Sequence, residues 1–190
     1  MTARQTLEKE NYEWNFHFNK VAEKSQRSTI PFAKTDYDQL DTSGQKMELK
    51  HFLGPHFDLQ NHKPLIRGQL NNETLNAYFY YDQEEKLSNK IDLNQIIRDF
   101  RDLYPDRFIY ALAEPPHDLR LGKEIRKRGT YVLDFLSYFF SNLHETVIYA
   151  WDTNCSVIFD AGNEWWGSYF WTIYNPTKKW YIGIIASETD

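Results

Sequence analysis

The stretch that decides the fold is residues 146 to 187, which read TVIYAWDTNCSVIFDAGNEWWGSYFWTIYNPTKKWYIGIIAS. Four of its runs are rich in β-branched and aromatic residues, which favour β-strands. These runs are residues 146–152, 155–160, 168–174 and 179–187. Thr153-Asn154 and residues 175–178 are typical of tight turns, and residues 161–167 form a longer loop. We therefore predict a C-terminal antiparallel meander of about four strands.

Two amphipathic helices are predicted before this meander. Residues 93–104 place apolar side chains at helical spacing behind Asp92, a suitable N-cap, and Pro105 ends the pattern. Residues 130–143 carry a broad apolar surface along one side. Because such a surface must be covered by another layer, we predict an α+β fold. In this two-layer sandwich the meander packs against the two main helices.

The remaining sequence contains weaker signals. Residues 75–81 and 107–113 are predicted as strands. The first 45 residues are polar and weakly patterned, with one short helix predicted near residues 7–24. A chain of 190 residues suits one core better than two. We predict a single domain over residues 1–190, with residues 1–45 as a weakly ordered N-terminal arm.

Three features indicate a cytoplasmic protein. No apolar run approaches the roughly 18 residues of a membrane span, and the densest, residues 131–140, contains Asp134 and Ser137. The first ten residues are charged, unlike a secretory signal. Cys155 is the single cysteine, so the chain cannot form an internal disulfide. We expect a location in the cytoplasm and no association with a membrane.

Negative charge and aromatic residues are concentrated together in the C-terminal third. Residues 1–128 carry 20 Lys and Arg against 20 Asp and Glu, whereas residues 129–190 carry 2 against 7. The same third holds 16 of the 32 aromatic residues and five of the six tryptophans. An acidic field disfavours association with nucleic-acid phosphates and attracts basic surfaces. We therefore expect a basic protein partner rather than nucleic acid.

The motifs of common enzymes and metal sites are missing from the sequence. None of the six histidines forms the i, i+4 pair of a helical zinc site, and the closest group, His51, His56 and His62, lacks zinc-type spacing. No phosphate-binding glycine loop or hydrolase nucleophile motif occurs. The basic cluster at residues 120–128 fits a solvated helix face better than a phosphate site. We expect Cys155 to be a small, buried or half-buried strand residue, and we expect no metal and no cofactor.

One group of residues carries the most chemistry, namely Asp152, Asp160 and Glu164 around Trp165 and Trp166. Carboxylates beside flat indole rings are what glycoside hydrolysis requires: one acid, one base or nucleophile, and rings that stack on sugars. The same residue types form protein-binding surfaces, in which acids steer a basic partner and tryptophans supply buried anchors. A third interpretation is that these are ordinary loop acids beside core indoles.

The sequence favours binding over catalysis, since no residues assemble a nucleophile, a base and a transition-state stabiliser in a known order. We predict a non-enzymatic intracellular protein-binding module. In this hypothesis the chain acts as an immunity-type inhibitor does, by covering a basic protein partner. Its predicted contact residues are Asp152, Asp160, Glu164, Trp165 and Trp166. The alternative is a small hydrolase acting on a sugar-like or polar ligand, with Asp152, Asp160 or Glu164 as acid and base.

Overall fold

The computed structural model of the 190-residue chain divides into two compact units. The first unit combines Met1–Met47 with Val147–Asp190, and the second is Glu48–Thr146. The residues that the structure describes are 2–24, 34–54, 57–60, 63–64, 72–80, 92–104, 108–115, 124–140 and 142–187. A single domain over residues 1–190 stays a prediction.

Both helices and strands occur in the described residues. In chain order the helices are α1 (Ala3–Lys24), α2 (Tyr37–Ser43), α3 (Leu49–Leu53), α4 (Asn72–Leu75), α5 (Leu93–Leu103), α6 (Phe108–Ala113), α7 (Ile125–Phe139) and α8 (Asp160–Trp165). The strands are β1 (Gln45–Met47), β2 (Phe57–Asp58), β3 (Lys63–Pro64), β4 (Val147–Ala150), β5 (Tyr169–Asn175) and β6 (Trp180–Ala186). A π-helical segment, Asn76–Tyr80, continues α4, and 3₁₀ turns occupy Leu143–Glu145 and Val157–Phe159. Of the helices in these described ranges, none combines the length and the apolar composition needed to cross a membrane.

Four strands form one antiparallel sheet in the order β1-β4-β5-β6. Three of them come from the C-terminal stretch, as predicted, and β5 and β6 form a long hairpin in which Tyr169 pairs with Ala186. The fourth strand is β1, in which Gln45 pairs with Ala150. The predicted α+β class is confirmed, since helices accompany this antiparallel sheet.

The strand predicted over residues 155–160 is wrong. These residues contain a 3₁₀ turn and the first residue of α8, and the predicted loop over residues 161–167 is mostly the helix α8. The adjacent residues Ile158 and Phe159 are both buried. A half-buried strand would alternate between buried and exposed positions, so the burial fits a tight turn instead.

Helices α1 and α2 contribute to the core of the first unit. Gly183 of β6 lies so close to Thr6 of α1 that a Cβ on Gly183 would collide with that side chain. A buried apolar cluster includes Leu7 of α1, Leu40 of α2 and Phe170 of β5. Two of these core residues belong to the first 45 residues, the segment predicted as an N-terminal arm, and the short helix predicted there is α1.

The second unit is mainly helical in its described part. The helix predicted behind Asp92 is α5, and the Asp92 carboxylate accepts a hydrogen bond of 2.9 Å from the backbone amide of Asn94, as an N-cap does. The helix predicted over residues 130–143 is α7, which begins earlier, at Ile125. Both amphipathic helices predicted from the sequence are therefore confirmed, with a shift of boundaries for α7.

Two strands predicted in the second unit are wrong. The run 108–113, FIYALA, forms the helix α6, and it is so uniformly apolar that periodicity cannot separate a short helix from a buried strand. Residues 75–80 form the end of α4 and the π-helical segment. The outer ends of the two predictions, Arg107 and Tyr81, lie outside the described residues.

Candidate functional site

The loop that follows β4 holds Asp152 in a defined orientation. Its Oδ1 accepts hydrogen bonds of 2.9 Å from both the backbone amide and the side-chain amide of Asn154. Its Oδ2 accepts a hydrogen bond of 2.7 Å from Nε2 of Gln39 in α2. The backbone amide of Asp152 donates to Oγ of Ser43 at 3.2 Å. Hydrogen-bond donors from its own loop and from α2 therefore fix the orientation of this carboxylate.

The local sequence explains this arrangement. An aspartate whose side chain accepts from the backbone amide two residues later forms an Asx turn, a common way to end a strand. The C-cap of α2 is Gly44, and β1 follows it at once. Because Gln45 pairs with Ala150, the C-terminal end of α2 is brought beside the end of β4. Gln39 and Ser43 thereby reach the Asp152 loop.

A cleft with a volume of about 440 Å³ opens beside this loop. The described residues that line it come from the end of α2, from β1, and from the end of β4 and the loop that follows: Thr42, Ser43, Gln45, Ala150, Trp151 and Asp152. The half-buried indole of Trp151 donates from Nε1 to Oγ1 of Thr172 at 2.8 Å, so one wall of the cleft is a fixed aromatic ring. This volume lies within the range of about 300–1,000 Å³ that is usual for small-ligand sites.

Two of the predicted contact residues, Asp160 and Glu164, lie on α8. They are four residues apart, so the two side chains project from the same side of the helix. Both are exposed, and within the part of the chain that the structure describes neither forms an ion pair. This side of α8 therefore presents to solvent two carboxylates with which no cation of the described residues forms an ion pair.

Trp166 follows α8 and is partly exposed. Its ring packs edge-on against Tyr169, with the ring centroids 5.5 Å apart. Tyr169 stacks in turn on Trp171, with centroids 5.2 Å apart and planes within 3° of parallel. This series of rings holds Trp166 on β5 while part of the indole stays in contact with solvent. The side chain of Trp165 lies outside the described residues.

The predicted contact residues thus form two neighbouring groups. Asp152 lines the cleft, whereas Asp160, Glu164 and Trp166 belong to α8 and its end. A hydrogen bond of 3.5 Å from Oγ1 of Thr153 to Oδ1 of Asn163 joins the loop to the helix. The two groups lie in the same unit and at the same end of the sheet.

Sequence reasoning missed the residues that complete the cleft. Gln39 and Ser43 are separated from Asp152 by 113 and 109 positions, and the sequence contains no signal for that contact. Trp151 lies near the end of the strand predicted over residues 146–152, and its position beside Asp152 is the one local signal for this part of the cleft. The pairing of β1 with β4 brings all three residues together.

Cys155 is buried, as predicted, although not in a strand. Its thiol donates to the backbone oxygen of Asp152 at 3.1 Å. Burial and the nearby Asp152 carboxylate raise the pKa of Cys155 from 9.0 to about 11. Because the thiolate is the reactive form, this environment does not suit a nucleophile.

Among the described residues, no group of three or more His, Cys, Asp and Glu side chains is arranged to hold a metal ion. His56 and His62, from the closest histidine group, lie outside those residues, as does the first part of the basic cluster, residues 120–123. No protein-family model matches the chain, and neither a curated protein nor a solved structure matches it.

Proposed function

We propose that this chain is a non-enzymatic, cytoplasmic protein-binding module that recognises a basic protein, as an immunity-type inhibitor does. The binding surface consists of Asp160, Glu164 and Trp166, with Trp165 beside them and Asp152 in the adjoining loop. One observation carries the proposal. Asp160 and Glu164 are exposed, lie one helical turn apart and have no ion-pair partner within the described part of the chain.

Two other exposed acids in the same unit, Asp41 and Glu13, do have ion-pair partners. Oδ2 of Asp41 lies 2.9 Å from a guanidinium nitrogen of Arg4, and Oε1 of Glu13 lies 3.7 Å from Nζ of Lys9. Their charges are largely balanced within the chain. The charges on α8 instead extend into solvent, where they accelerate encounter with a basic surface and help to set its orientation.

Trp166 provides the apolar part of such a surface. Tryptophan is enriched among the few residues that carry most of the energy of a protein interface. An anchor must be held in place before the partner arrives, and the edge-on contact with Tyr169 does this for Trp166. A supported, partly exposed indole beside two exposed acids is the combination that a basic partner requires.

The hydrolase alternative receives less support from the geometry. A glycosidase acid is shielded from water, but Asp160 and Glu164 are both exposed. Asp152 does line a cleft, yet its two oxygens already accept three hydrogen bonds within the chain. No second carboxylate is among the described residues that line this cleft.

Affinity capture with matched variants tests the proposal. The tagged wild-type chain is used as bait in a lysate of its native host at low and at high salt, beside the double variant Asp160→Asn/Glu164→Gln. We expect the wild type to retain a basic protein at low salt. With that protein purified, the double variant should slow association by at least about tenfold with little change in the unfolding temperature.

A second double variant, Glu8→Gln/Asp134→Asn, serves as the control, because it removes the same charge from exposed positions on α1 and α7. This control variant should bind the partner as the wild type does.

Trp166→Ala should raise the dissociation rate of the partner instead of lowering the association rate. Retention of the same proteins by both double variants, or of acidic proteins alone, would contradict the proposal.

A further inference from the structure

The cleft beside Asp152 offers mainly hydrogen-bond acceptors to a ligand. The hydroxyl of Ser43 donates to the carbonyl oxygen of Leu40 at 2.9 Å, and the hydroxyl of Thr42 lies 3.1 Å from two carbonyl oxygens of its own helix. The indole N–H of Trp151 is used in its bond to Thr172. The donors of these three lining side chains are therefore occupied, while the hydroxyl oxygens keep acceptor capacity.

Asp152 adds a stronger acceptor with a fixed direction. A carboxylate has about four lone-pair sites, and Asp152 uses three of them on Gln39 and Asn154. These bonds leave about one lone-pair site of the carboxylate uncommitted, and Asp152 is one of the residues that line the cleft. Of the described residues that line the cleft, Gln45 alone has a side chain that can still supply a polar donor. The cleft therefore selects a ligand that is rich in donors and positively charged.

The wall formed by Trp151 narrows the choice of cation. A guanidinium group is planar, has five N–H donors and no acceptor, and stacks on aromatic rings. An ammonium group is a compact, strongly hydrated charge that gains less from a flat wall. The cleft volume of about 440 Å³ also leaves room for a side chain of arginine length.

We infer that this cleft binds a guanidinium group, supplied by an arginine side chain of the basic partner. The identity of the supplier rests on the proposed function, whereas the recognition of guanidinium rests on the cleft itself. The arginine would stack its planar guanidinium on the indole of Trp151 and direct N–H groups at the Asp152 carboxylate. The acids of α8 would act separately, by steering the partner towards this end of the sheet.

The direct test compares two small probes on the full chain. N-acetyl-arginine amide carries the guanidinium, and N-acetyl-citrulline amide has the same shape without the charge. Binding is followed by NMR through the side-chain amide of Asn154 and the indole N–H of Trp151. We expect saturable binding of the arginine probe, at least about tenfold tighter than that of the citrulline probe. Equal binding of the two probes, or no saturable binding of either, overturns the inference.

A variant pair locates the site. Asp152→Asn keeps Oδ1 as the acceptor of the Asx turn, and the Gln39 amide can rotate to accept from the new side-chain amide, so we expect the chain to fold. It should weaken the arginine probe at least about tenfold. Asp38→Asn removes the same charge from an exposed position on α2 outside the cleft, and should change affinity less than about twofold. If Asp152→Asn fails to fold, the comparison of the two probes on the wild type still tests whether the chain binds a guanidinium group.

The variant Asp160→Asn/Glu164→Gln separates this inference from the proposed function. It should bind N-acetyl-arginine amide as the wild type does, because its changes lie outside the cleft lining. If the arginine probe binds but the double variant leaves partner association unchanged, the cleft stands and the proposed α8 surface is wrong. If partner association follows α8 but the arginine probe does not bind, the guanidinium site is wrong.

Discussion

Gly44 packs against the indole ring of Trp151 so closely that a Cβ on Gly44 would lie 2.6 Å from Cζ3 of that ring. The backbone of Gly44 has φ −60°, which any residue can adopt, so the ring and not the backbone explains the glycine. We predict that Gly44→Ala displaces the indole and lowers the free energy of unfolding by about 1–3 kcal/mol. Urea unfolding followed by tryptophan fluorescence measures this loss.

The same substitution in a Trp151→Leu background provides the control. Without the ring, the added methyl group has nothing to displace, and Gly44→Ala should change the free energy of unfolding by no more than about 0.5 kcal/mol. An equal loss in both backgrounds would show that the contact with Trp151 does not cause the effect.

A buried ion pair in the second unit leads to a prediction about stability. Nη1 of Arg128 lies 2.6 and 2.7 Å from the two carboxylate oxygens of Glu114, and the hydroxyl of Tyr78 donates to the same carboxylate at 2.5 Å. Burial, followed by the Glu114 charge, raises the pKa of Tyr78, so its hydroxyl stays a donor. Arg128→Met should lower the free energy of unfolding by about 3–5 kcal/mol, because it removes the cationic partner from a buried ion pair.

Tyr78→Phe removes one donor but leaves the ion pair, so its loss should be smaller, about 1–3 kcal/mol. Lys127→Met is the matched control: it removes a neighbouring cation whose contact with Glu124 is exposed, and it should change the free energy of unfolding by about 1 kcal/mol or less. Chemical denaturation of the three variants measures their losses in the free energy of unfolding, which we expect to decrease from Arg128→Met through Tyr78→Phe to Lys127→Met. A loss for Arg128→Met no larger than that for Lys127→Met would contradict this account.

Gly129 of α7 meets the backbone carbonyl of Tyr78, and a Cβ on Gly129 would collide with that oxygen. A backbone carbonyl within a helical segment cannot turn aside as a flexible side chain can. We predict that Gly129→Ala prevents folding or lowers the free energy of unfolding by more than about 4 kcal/mol, measured by chemical denaturation. Thr130→Ala, at the exposed neighbouring position, should stay within about 1 kcal/mol of the wild type. A stably folded Gly129→Ala variant would show that the helices can separate at this point.

The parts of the fold that the sequence predicted are those with a local cause. The turn after residue 174 and the capped, periodic helix α5 need no knowledge of distant residues. The run 108–113 failed because a short, uniformly apolar segment fits two structures. Strand β1 could not be predicted, because two of its three residues, Gln45 and Lys46, are polar, and the segment becomes a strand through its pairing with β4.

The same distinction between local and long-range causes applies to the candidate site. The acids and indoles were visible in the sequence, since their residue types alone suggest chemistry. The hydrogen bond from Gln39 to Asp152 was not visible, because it joins residues 113 positions apart. It is this long-range contact that turns a loop aspartate into an oriented acceptor at a cleft, and no local pattern encodes it.

The buried thiol of Cys155 leads to a prediction about pH. Its pKa is raised from 9.0 to about 11, first by burial and then by the Asp152 carboxylate. At about pH 8 the native chain should therefore react with a disulfide reagent at least about 100-fold more slowly than the urea-unfolded chain, since two pKa units reduce the thiolate about 100-fold.

The raised pKa of Cys155 also makes the free energy of unfolding depend on pH. The unfolded thiol ionises first, so the stabilising contribution is complete below pH 9 and is lost as the pH rises towards 11. Cys155→Ser keeps a donor for the Asp152 carbonyl but does not ionise, so its free energy of unfolding should fall less than that of the wild type between about pH 8 and about pH 11. Equal losses in the two proteins, or rapid reaction of the native thiol, would mean that Cys155 reaches solvent at the Asp152 loop.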